Sequence, residues 1–371
     1  MAATAQNLRV DKFAFSSSVE ADVWHAEKPA EAYEWWYFDA LADGGGKEAV
    51  VISFLDNYIF SPRYNGAVSV EKSKKNGSNH WEHSTKRFPA VSFVYYQGGR
   101  PVYRCVNEYP ASDFSASENT PECRIGDNSF RFETAPYGSG YLITINAMLS
   151  QNRRLEATFE WVSIESDLAP GTFCHEETKH CWNMVAPRSD VSGRISIYNR
   201  RGESIDVRHF RGTGYHSHNL DNRWLPETVR DWQWGRCHFG DSTAVFYRYC
   251  EIGDFNPTTK LFVIRDGEMR ERDATYSEQN YTRDRYGIRY PTRLRLISDD
   301  NLRLRVKPIK VIDSSFHYLR FLSEMTLTLR DGKPRKTTGI SEFLSPKTLK
   351  YRWLNWWTDL RIGKDGKGSL L

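Results

Sequence analysis

Apolar and polar residues alternate over many short segments of the chain, and a two-residue period is typical of β-strands with one buried face. The first clear pair is EWWYFDAL (34–41) and EAVVISFL (48–55), which the glycine-rich ADGGGK separates. Two such runs around a turn segment predict a β-hairpin. Similar pairs follow, among them YLITINAML with RRLEATFEWVSI and TRLRLI with LRLRV. The pattern therefore predicts an all-β, antiparallel fold.

One segment near the C-terminus has the spacing of a helix instead. Its apolar positions are Trp353, Trp356, Trp357 and Leu360. We expect a short C-terminal helix that packs these side chains over a β-barrel. The flanking basic residues leave contact with a membrane surface as an alternative for this segment.

The number of strands and the length together suggest how the chain is divided. Many short strands joined by hairpins favour barrels or sandwiches, and 371 residues are enough for two such domains. We predict two antiparallel β-barrel or sandwich domains packed together, at residues 1–200 and 201–371. The join is expected somewhere in residues 187–215.

Composition narrows the class of partner. A net charge of +4 with no basic cluster argues against nucleic acid. No stretch approaches the roughly 18 apolar residues of a membrane span, and the N-terminal residues lack the apolar core of a signal peptide. The sequence thus favours a cytoplasmic protein without an integral membrane segment, in which the six cysteines are mostly reduced and buried. Aromatic residues make up 14% of the chain, which indicates very aromatic cores or an aromatic ligand site.

The segment EWWYFDAL combines dense aromatic residues with two acids. Side chains alternate between the faces of a strand, so each face has two aromatic rings and one carboxyl group. One face carries Glu34, Trp36 and Phe38, and the other carries Trp35, Tyr37 and Asp39. Either the acids are bonded to backbone or arginine at the ends of a core strand, or a carboxyl group beside indole rings has a raised pKa and donates a proton.

The next predicted strand ends in FLDNYIFSPRYN, which carries Asp56, Asn57, Arg63 and Tyr64 beside aromatic residues. A turn with an Asp–Arg pair explains these polar residues. A rim of hydrogen-bonding groups around a pocket explains them equally well.

The most unusual stretch, from Gly212 to Phe239, contains GTGYHSHN and DWQWGRCHF. On an extended strand, His216 and His218 share one face, and Tyr215 and Asn219 share the other. In the second motif Trp232, Trp234 and Arg236 share a face, and we expect these groups to converge with the histidines on one site. Metal binding by the two histidines is an alternative, but the spacing to the next acid does not fit a familiar ligand pattern. Structural histidines bonded to backbone are a further alternative.

A second cluster, CHEETKHC at residues 174–181, has cysteines and histidines without the spacing of a zinc finger or ribbon. A loop with buried thiols explains it better than zinc does. No nucleotide-binding loop, kinase signature or serine-hydrolase elbow is present in the sequence.

Four motifs together resemble a known family. EWWYFDA, WNMVAPRSDVSGRI (182–195), GTGYHSHN and DWQWGR occur in this order in carotenoid 1,2-hydratases (hydroxyneurosporene synthases) and their AttH-like relatives. The resemblance implies two lipocalin-like β-barrel domains and a cofactor-free enzyme acting on apolar polyene or prenylated small molecules. The family includes hydratases and fungal relatives that catalyse intramolecular Diels–Alder cyclisations or epoxide rearrangements.

The sequence departs from the hydratase pattern at positions that bear on chemistry. Hydratases typically read GYHDHNWG, whereas this chain has Ser217, Leu220 and Asp221 at the differing positions. They also carry a Tyr-x-Asp pair on the following strand, where this chain has Val245 and Tyr247. Hydration of an alkene needs a strong, positioned acid, so these departures weigh against carotenoid hydration.

We therefore expect a cofactor-independent cyclase or isomerase of specialised metabolism, whose partner is a lipophilic polyketide or terpenoid. Expected catalytic residues are Glu34, Asp39, His216 and His218. Expected substrate-binding residues are Trp36, Phe38, Asp56, Asn57, Tyr64, Trp182, Asn183, Tyr215, Asn219, Trp232, Trp234, Arg236 and Tyr247. No metal and no cofactor is expected. A terpenoid hydro-lyase and a non-catalytic lipocalin-like carrier remain as alternatives.

Overall fold

A computed structural model describes residues 13–43, 48–75, 87–169, 180–330 and 332–371, and it confirms the all-β prediction. The strands are β1 (Phe13–Ser16), β2 (Tyr33–Ala42), β3 (Glu48–Leu55), β4 (Ala90–Gln97), β5 (Arg100–Glu108), β6 (Phe114–Ala116), β7 (Glu122–Ile125), β8 (Asn128–Ala135), β9 (Gly138–Leu149), β10 (Arg153–Glu165), β11 (His180–Tyr198), β12 (Ser204–Asp221), β13 (Val229–His238), β14 (Ser242–Glu251), β15 (Thr258–Arg265), β16 (Glu268–Arg283), β17 (Arg289–Ser298), β18 (Arg303–Ser314), β19 (Tyr318–Thr328) and β20 (Arg335–Leu344). The α-helices are α1 (Pro62–Lys75), α2 (Leu225–Thr228) and α3 (Asn355–Leu360), and 3-10 turns lie at Ala111–Asp113, Ser150–Asn152, Pro346–Lys350 and Arg352–Leu354.

The first twelve strands form one sheet, in the order β5-β4-β3-β2-β12-β11-β10-β9-β8-β7-β6, with β1 added in parallel to β11. The sheet curls around a core that contains residues from nearly every strand, including Trp36, Phe38, Phe130, Ile143 and Phe159. The predicted hairpin of β2 and β3 is present and antiparallel. The motif YHSHN lies on β12, which pairs with β2, so the two unusual motifs of the sequence are neighbours.

The last eight strands, β13 to β20, form a closed antiparallel barrel. Closure pairs β13 with both β14 and β20, so the segment DWQWGRCH lies between strands that are distant in sequence. A second hydrophobic cluster joins the barrel to the sheet, because it combines Tyr37 and Tyr215 of the sheet with Trp234 and Tyr247 of the barrel.

The connection between the two units follows β12. The boundary predicted at 200/201 falls in the turn between β11 and β12, and both of these strands pair within the sheet. The barrel begins with β13, which α2 precedes. We propose that the division between the units lies in residues 222–228.

The expected C-terminal helix is present, although it is shorter than the apolar spacing predicts. It begins at Asn355, so Trp353 lies in the preceding 3-10 turn. Trp353 and Trp356 are 69% and 59% exposed, and they do not pack over the barrel as expected. Trp357 is half-buried, and it faces the cavity described below.

Candidate functional site

The two faces of β2 look into different parts of the molecule, as the alternation predicts. Trp36 and Phe38 point into the core of the curled sheet. Trp35 and Tyr37 point towards the barrel and pack in the cluster that joins the two units. Strand β12 divides in the same way, with His216 and His218 inside the sheet and Ser217 and Asn219 towards the barrel.

A cavity lies between the sheet, the barrel and the C-terminal segment. Its walls are mainly aromatic, and the indole and phenyl rings are Trp35, Tyr37, Tyr58, Phe60, Trp182, Trp232, Trp234, Tyr247, Phe316, Tyr318 and Trp357. The rings support one another: Trp182 stacks on Tyr247 with centroids 4.3 Å apart, and Trp35 lies 5.4 Å from Trp232. Such a surface suits an apolar, unsaturated ligand.

Five hydrogen-bond donors of this cavity lack acceptors among the described residues, namely Asn219 Nδ2, the Nε1 atoms of Trp232, Trp234 and Trp357, and the Tyr318 hydroxyl. These atoms are buried, and the residues that carry them line the cavity. A buried donor without a partner costs about 1–3 kcal/mol, so these donors are arranged for an acceptor that the chain itself does not supply.

A charged group lies on the barrel side of the cavity. The Tyr37 hydroxyl donates to Glu342 Oε1 over 2.8 Å, and Arg320 Nε donates to the same oxygen over 2.8 Å. The Arg320 guanidinium also lies 5.2 Å from the centroid of the Tyr318 ring. Burial raises the pKa of the Tyr318 hydroxyl well above its ordinary value, so this phenol stays protonated and remains a donor.

A buried relay lies behind the aromatic wall. Asp221 Oδ2 is 3.2 Å from His180 Nδ1, and His180 Nε2 is 2.5 Å from the Tyr247 hydroxyl. Burial lowers the pKa of His180, although Asp221 opposes that shift. The ring is therefore neutral, and it is oriented between an acid and a phenol whose ring borders the cavity.

The predicted acid Glu34 and the histidines of YHSHN do not line this cavity. Glu34 Oε1 lies 2.8 Å from His218 Nε2 and 2.8 Å from His25 Nδ1, and Lys28 pairs with the other carboxylate oxygen. His216 Nε2 is 2.9 Å from Asp22 Oδ2. These residues lie outside the aromatic cavity because the even-numbered side chains of β2 and β12 point into the sheet, and their expected catalytic roles stay predictions.

Charge balance explains how these buried groups coexist. Burial alone would raise the pKa of Glu34, but Lys28 and hydrogen bonds from His218 and His25 hold it well below its ordinary value. His218 has the opposite shift: burial would lower its pKa, and bonds to Asp22 and Glu34 raise it. Both ring nitrogens of His218 face carboxylates, at 3.1 Å and 2.8 Å, so the imidazolium form fits this position.

His25, Glu34 and His218 also have ligand atoms within 4.8 Å of one another, a spacing that metal sites share. Their contacts are those of a hydrogen-bonded group, in which both imidazoles approach the same carboxylate oxygen. A cation between them would lie beside the Lys28 ammonium, which pairs with the same carboxylate. The electrostatic cost of that arrangement gives no support to a metal.

Asp39 and Arg236 pair with each other and not with a ligand. Arg236 Nε donates to Asp39 Oδ1 over 2.8 Å, and both side chains are buried between sheet and barrel. Neither residue lines the cavity. The two residues form a buried pair, in which burial raises the pKa of the Asp39 carboxyl although Arg236 opposes that shift. Their expected roles as an acid and as an anchor for an oxyanion stay predictions.

The other predicted binding residues divide between the cavity and the framework. Trp182, Asn219, Trp232, Trp234 and Tyr247 line the cavity. The residues outside it are Trp36 and Phe38 in the sheet core, Asp56 beside Lys28 and Arg87, Asn57 bonded to backbone of Ala32 and Phe88, Tyr64 bonded to Glu31 O, Asn183 bonded to backbone of Ser18, and Tyr215 packed on Trp234.

Several polar residues of the cavity were missed from the sequence: Arg104, Asp313, Tyr318, Arg320, Glu342 and Arg361. A signal for some of them exists in YLRFL, where Tyr318 and Arg320 share one face of the strand and alternate with apolar residues. Charged residues inside apolar strands are uncommon unless they are paired, and Arg320 indeed pairs with Glu342.

Four cysteines are free and buried, as expected: Cys105, Cys123, Cys237 and Cys250. Cys181 is disulfide-bonded, so the expectation of reduced thiols is wrong for this residue. The rest of the segment CHEETKHC, apart from His180 and Cys181, lies outside the described residues.

Comparison with known proteins places the chain in context. The model of the family described as carotenoid hydratase CrtC matches residues 152–367, more than half of the chain. A hydroxyneurosporene dehydrogenase of Chlorobaculum tepidum is 27% identical over 363 residues, which cover 94% of this chain and 91% of that protein.

Solved structures are similar in fold. The AttH protein of Nitrosomonas europaea has a TM-score of 0.58 at 17% identity, covering 87% of this chain and 94% of its own. CghA bound to Sch210972 has a TM-score of 0.55 at 13% identity, covering 85% and 89%. The expected two-unit, lipocalin-like all-β fold is confirmed.

The lengths of the helices relate to the expectation that the protein has no integral membrane segment. Among the described residues, no helix has the length and apolar character that crossing a bilayer requires.

Proposed function

Because the chain belongs to the carotenoid hydratase CrtC family, we propose that it is a cofactor-independent cyclase or isomerase of specialised metabolism. Its substrate is a lipophilic polyketide or terpenoid, which the aromatic cavity folds into a reactive shape. The likeness to CghA, which was crystallised with Sch210972, supports a small-molecule ligand in this fold. A cyclisation of Diels–Alder type or an acid-assisted rearrangement fits the cavity best.

The observation that carries this proposal is the set of unpartnered donors in an aromatic cavity, among them Asn219 Nδ2 and Trp232 Nε1. These two fixed N–H groups bind a carbonyl or epoxide oxygen of the substrate. Donors aimed at an oxygen that gains negative charge stabilise the transition state more than the ground state. The aromatic walls add positioning, since holding two reacting groups together lowers the barrier without any covalent chemistry.

The first experiment is native mass spectrometry of the purified protein, followed by denaturing extraction of any bound molecule. A co-purified apolar compound gives the class of substrate. Incubation of that class of compound with the enzyme should give a product of unchanged mass and altered retention time. If compounds of this class are recovered unchanged after incubation with the protein, that result contradicts an isomerase and favours a carrier.

Hydration of a terpenoid double bond is the second candidate, and the description of the matching family favours it. The acids that line the cavity and could serve such a reaction are Asp313, Glu342 and the Tyr247 hydroxyl, which the Asp221–His180 pair holds. Tyr247 is the weakest of the three acids, because burial raises the pKa of its hydroxyl well above the ordinary value. Reaction in ¹⁸O-labelled water separates the two functions. A product that is heavier than the substrate by one molecule of labelled water indicates a hydro-lyase. A product with the mass of the substrate indicates an isomerase.

A further inference from the structure

A second cavity, of about 830 Å³, adjoins the aromatic one, and arginines from both units line it. They come from segments that are distant in sequence: Arg100, Arg104, Arg153, Arg283, Arg285 and Arg361. Two carboxylate side chains, Asp284 and Asp313, are also part of the lining. The six guanidinium groups therefore outnumber the side-chain carboxylates three to one.

The carboxylates do not neutralise this excess. Asp313 Oδ1 accepts a bond from Arg104 over 2.8 Å, and Asp284 Oδ1 accepts backbone N–H groups of Tyr286 and Ile288. Among the described residues, the other five arginines of the lining form no ion pair with a carboxylate. Some of these arginines donate hydrogen bonds to neutral acceptors instead. Arg285 Nε, for example, donates to Ser314 Oγ over 3.2 Å.

The arginine-lined cavity is in direct contact with the candidate site. Arg104, Asp313 and Arg361 line both cavities, so a guanidinium without a carboxylate partner stands where the aromatic cavity ends. Burial and the charge of Arg104 lower the pKa of Arg361, although the charge of Asp313 opposes that shift. Both causes are those of a positive charge that is incompletely compensated.

We propose that these arginines hold the anionic end, a carboxylate or phosphate group, of an amphiphilic ligand whose apolar part occupies the aromatic cavity. This inference rests on the proposed function, and it narrows the class of substrate to lipophilic anions. Guanidinium groups suit this task because their fork of donors matches the oxygens of both groups. Arg361 and Arg104 line both cavities, so they are placed for the first contact with the anionic end, and Arg285 lines the second cavity with them.

The test compares a polyene fatty acid with its uncharged ester. Fluorescent cis-parinaric acid and its methyl ester are titrated into the full-length protein and into the double variant Arg285→Gln/Arg361→Gln. Arg305→Gln, which changes an exposed arginine on β18, is the matched control. We expect the wild type to bind the acid at least about tenfold more tightly than the ester, as a charge-assisted contact implies. The double variant should lose this preference and keep the affinity for the ester, and the control should keep both.

Each other result decides against the inference. Equal affinity of the wild type for acid and ester overturns the anionic site and leaves the proposed function intact. An equal loss for both probes in the double variant also overturns it. Failure of both probes to bind the wild type overturns the inference together with the aromatic site. If circular dichroism shows that the double variant is unfolded, the single variant Arg285→Gln decides in its place.

Competition identifies the anion. Dodecanoate and dodecyl phosphate are used to displace parinaric acid, with dodecanol as the neutral control. Stronger displacement by either anion than by dodecanol supports the site and assigns carboxylate or phosphate. Equal displacement by all three contradicts it.

Discussion

Arg236, on the first strand of the barrel, donates to the carboxylate of Asp39 on β2 of the sheet, and both side chains are buried. The pair links the two units beside the aromatic cavity without lining it. The arginine contacts one carboxylate oxygen, Oδ1, whereas Asp39 Oδ2 has no hydrogen-bond partner among the described residues, and burial raises the pKa of this carboxyl. The two residues fix the relative position of the walls that carry Tyr37 and Trp234.

Removing one partner of this pair should cost more stability than replacing both. Arg236→Met leaves the Asp39 carboxylate buried without its cation, and we expect the free energy of unfolding to fall by about 3–5 kcal/mol. The double variant Asp39→Leu/Arg236→Met leaves no buried charge, so it should be more stable than the single variant. Urea unfolding followed by tryptophan fluorescence measures both. A double variant at least as unstable as Arg236→Met would contradict this role.

Asn219 and Asn183 allow a matched test of the proposed donors. Asn183 exchanges two hydrogen bonds with the backbone of Ser18, whereas Asn219 Nδ2 has no partner among the described residues. We expect Asn219→Leu to lower turnover on the order of 10²-fold, as the loss of a transition-state donor does, with no loss of stability. Asn183→Leu should instead lower the free energy of unfolding by about 1–3 kcal/mol.

Turnover and urea unfolding of the two variants are measured side by side. If Asn219→Leu keeps full turnover, its amide is not a donor to the substrate. If it unfolds as readily as Asn183→Leu, its amide is part of the framework.

Alternation of side chains was enough to divide β2 and β12 into two faces, and it separated Trp35 from Trp36 correctly. It did not say which face borders a ligand cavity, because that depends on how the barrel packs against the sheet. The surroundings of Glu34 were not predictable from the sequence for a related reason. Its counter-charge Lys28 lies in an irregular segment before β2, and no period places such a residue.

The missed polar residues have a similar cause. Arg320 and Glu342 lie on β19 and β20, and they reach the site because the barrel closes and brings β20 beside β13. Strand closure is a long-range relationship that one sequence does not reveal. The aromatic wall was easier to predict, since Trp182, Trp232 and Trp234 lie in the motifs that were already unusual.

The buried group around Glu34 should govern stability in acid. Its pKa in the folded protein is well below the ordinary value of 4.5, so its stabilising contribution is present above about pH 4.5 and is lost as the pH falls below that value. The titratable neighbours in this group are Asp22, His25, Lys28, Asp56 and His218.

We expect Glu34→Gln to lower the free energy of unfolding at pH 7, on the order of 3 kcal/mol, and to flatten its decline below pH 4.5. Wild type and variant are compared by urea unfolding between pH 3 and pH 7. If the free energy of unfolding of the variant declines below pH 4.5 as steeply as that of the wild type, Glu34 does not control the acid sensitivity. A folded variant with no turnover would instead support the catalytic role first expected for this acid.

His218 should affect the pH dependence of stability in the opposite direction, with a loss as the pH rises. Its pKa is raised above 6.5 in the folded protein by Asp22 and Glu34. The stability it contributes is therefore complete below about pH 6.5 and is lost as the pH rises through its folded value. His218→Asn should remove this alkaline loss, which urea unfolding between pH 6 and pH 9 measures. The exposed His209 on β12 offers a control, His209→Asn, whose profile should match the wild type.

Two tryptophans of the C-terminal segment allow a test of whether the ligand binds in the aromatic cavity or on the outer surface. Trp357 is half-buried and lines the aromatic cavity, whereas Trp353 is 69% exposed and does not. We expect Trp357→Ala to weaken binding of cis-parinaric methyl ester about tenfold, which corresponds to roughly 1.4 kcal/mol of lost aromatic contact. Trp353→Ala should leave the affinity within about twofold, because a side chain surrounded by water contributes little to a ligand in the cavity. Equal effects of both changes would mean that the segment as a whole closes the cavity, and a larger effect of Trp353→Ala would move the ligand to the outer surface.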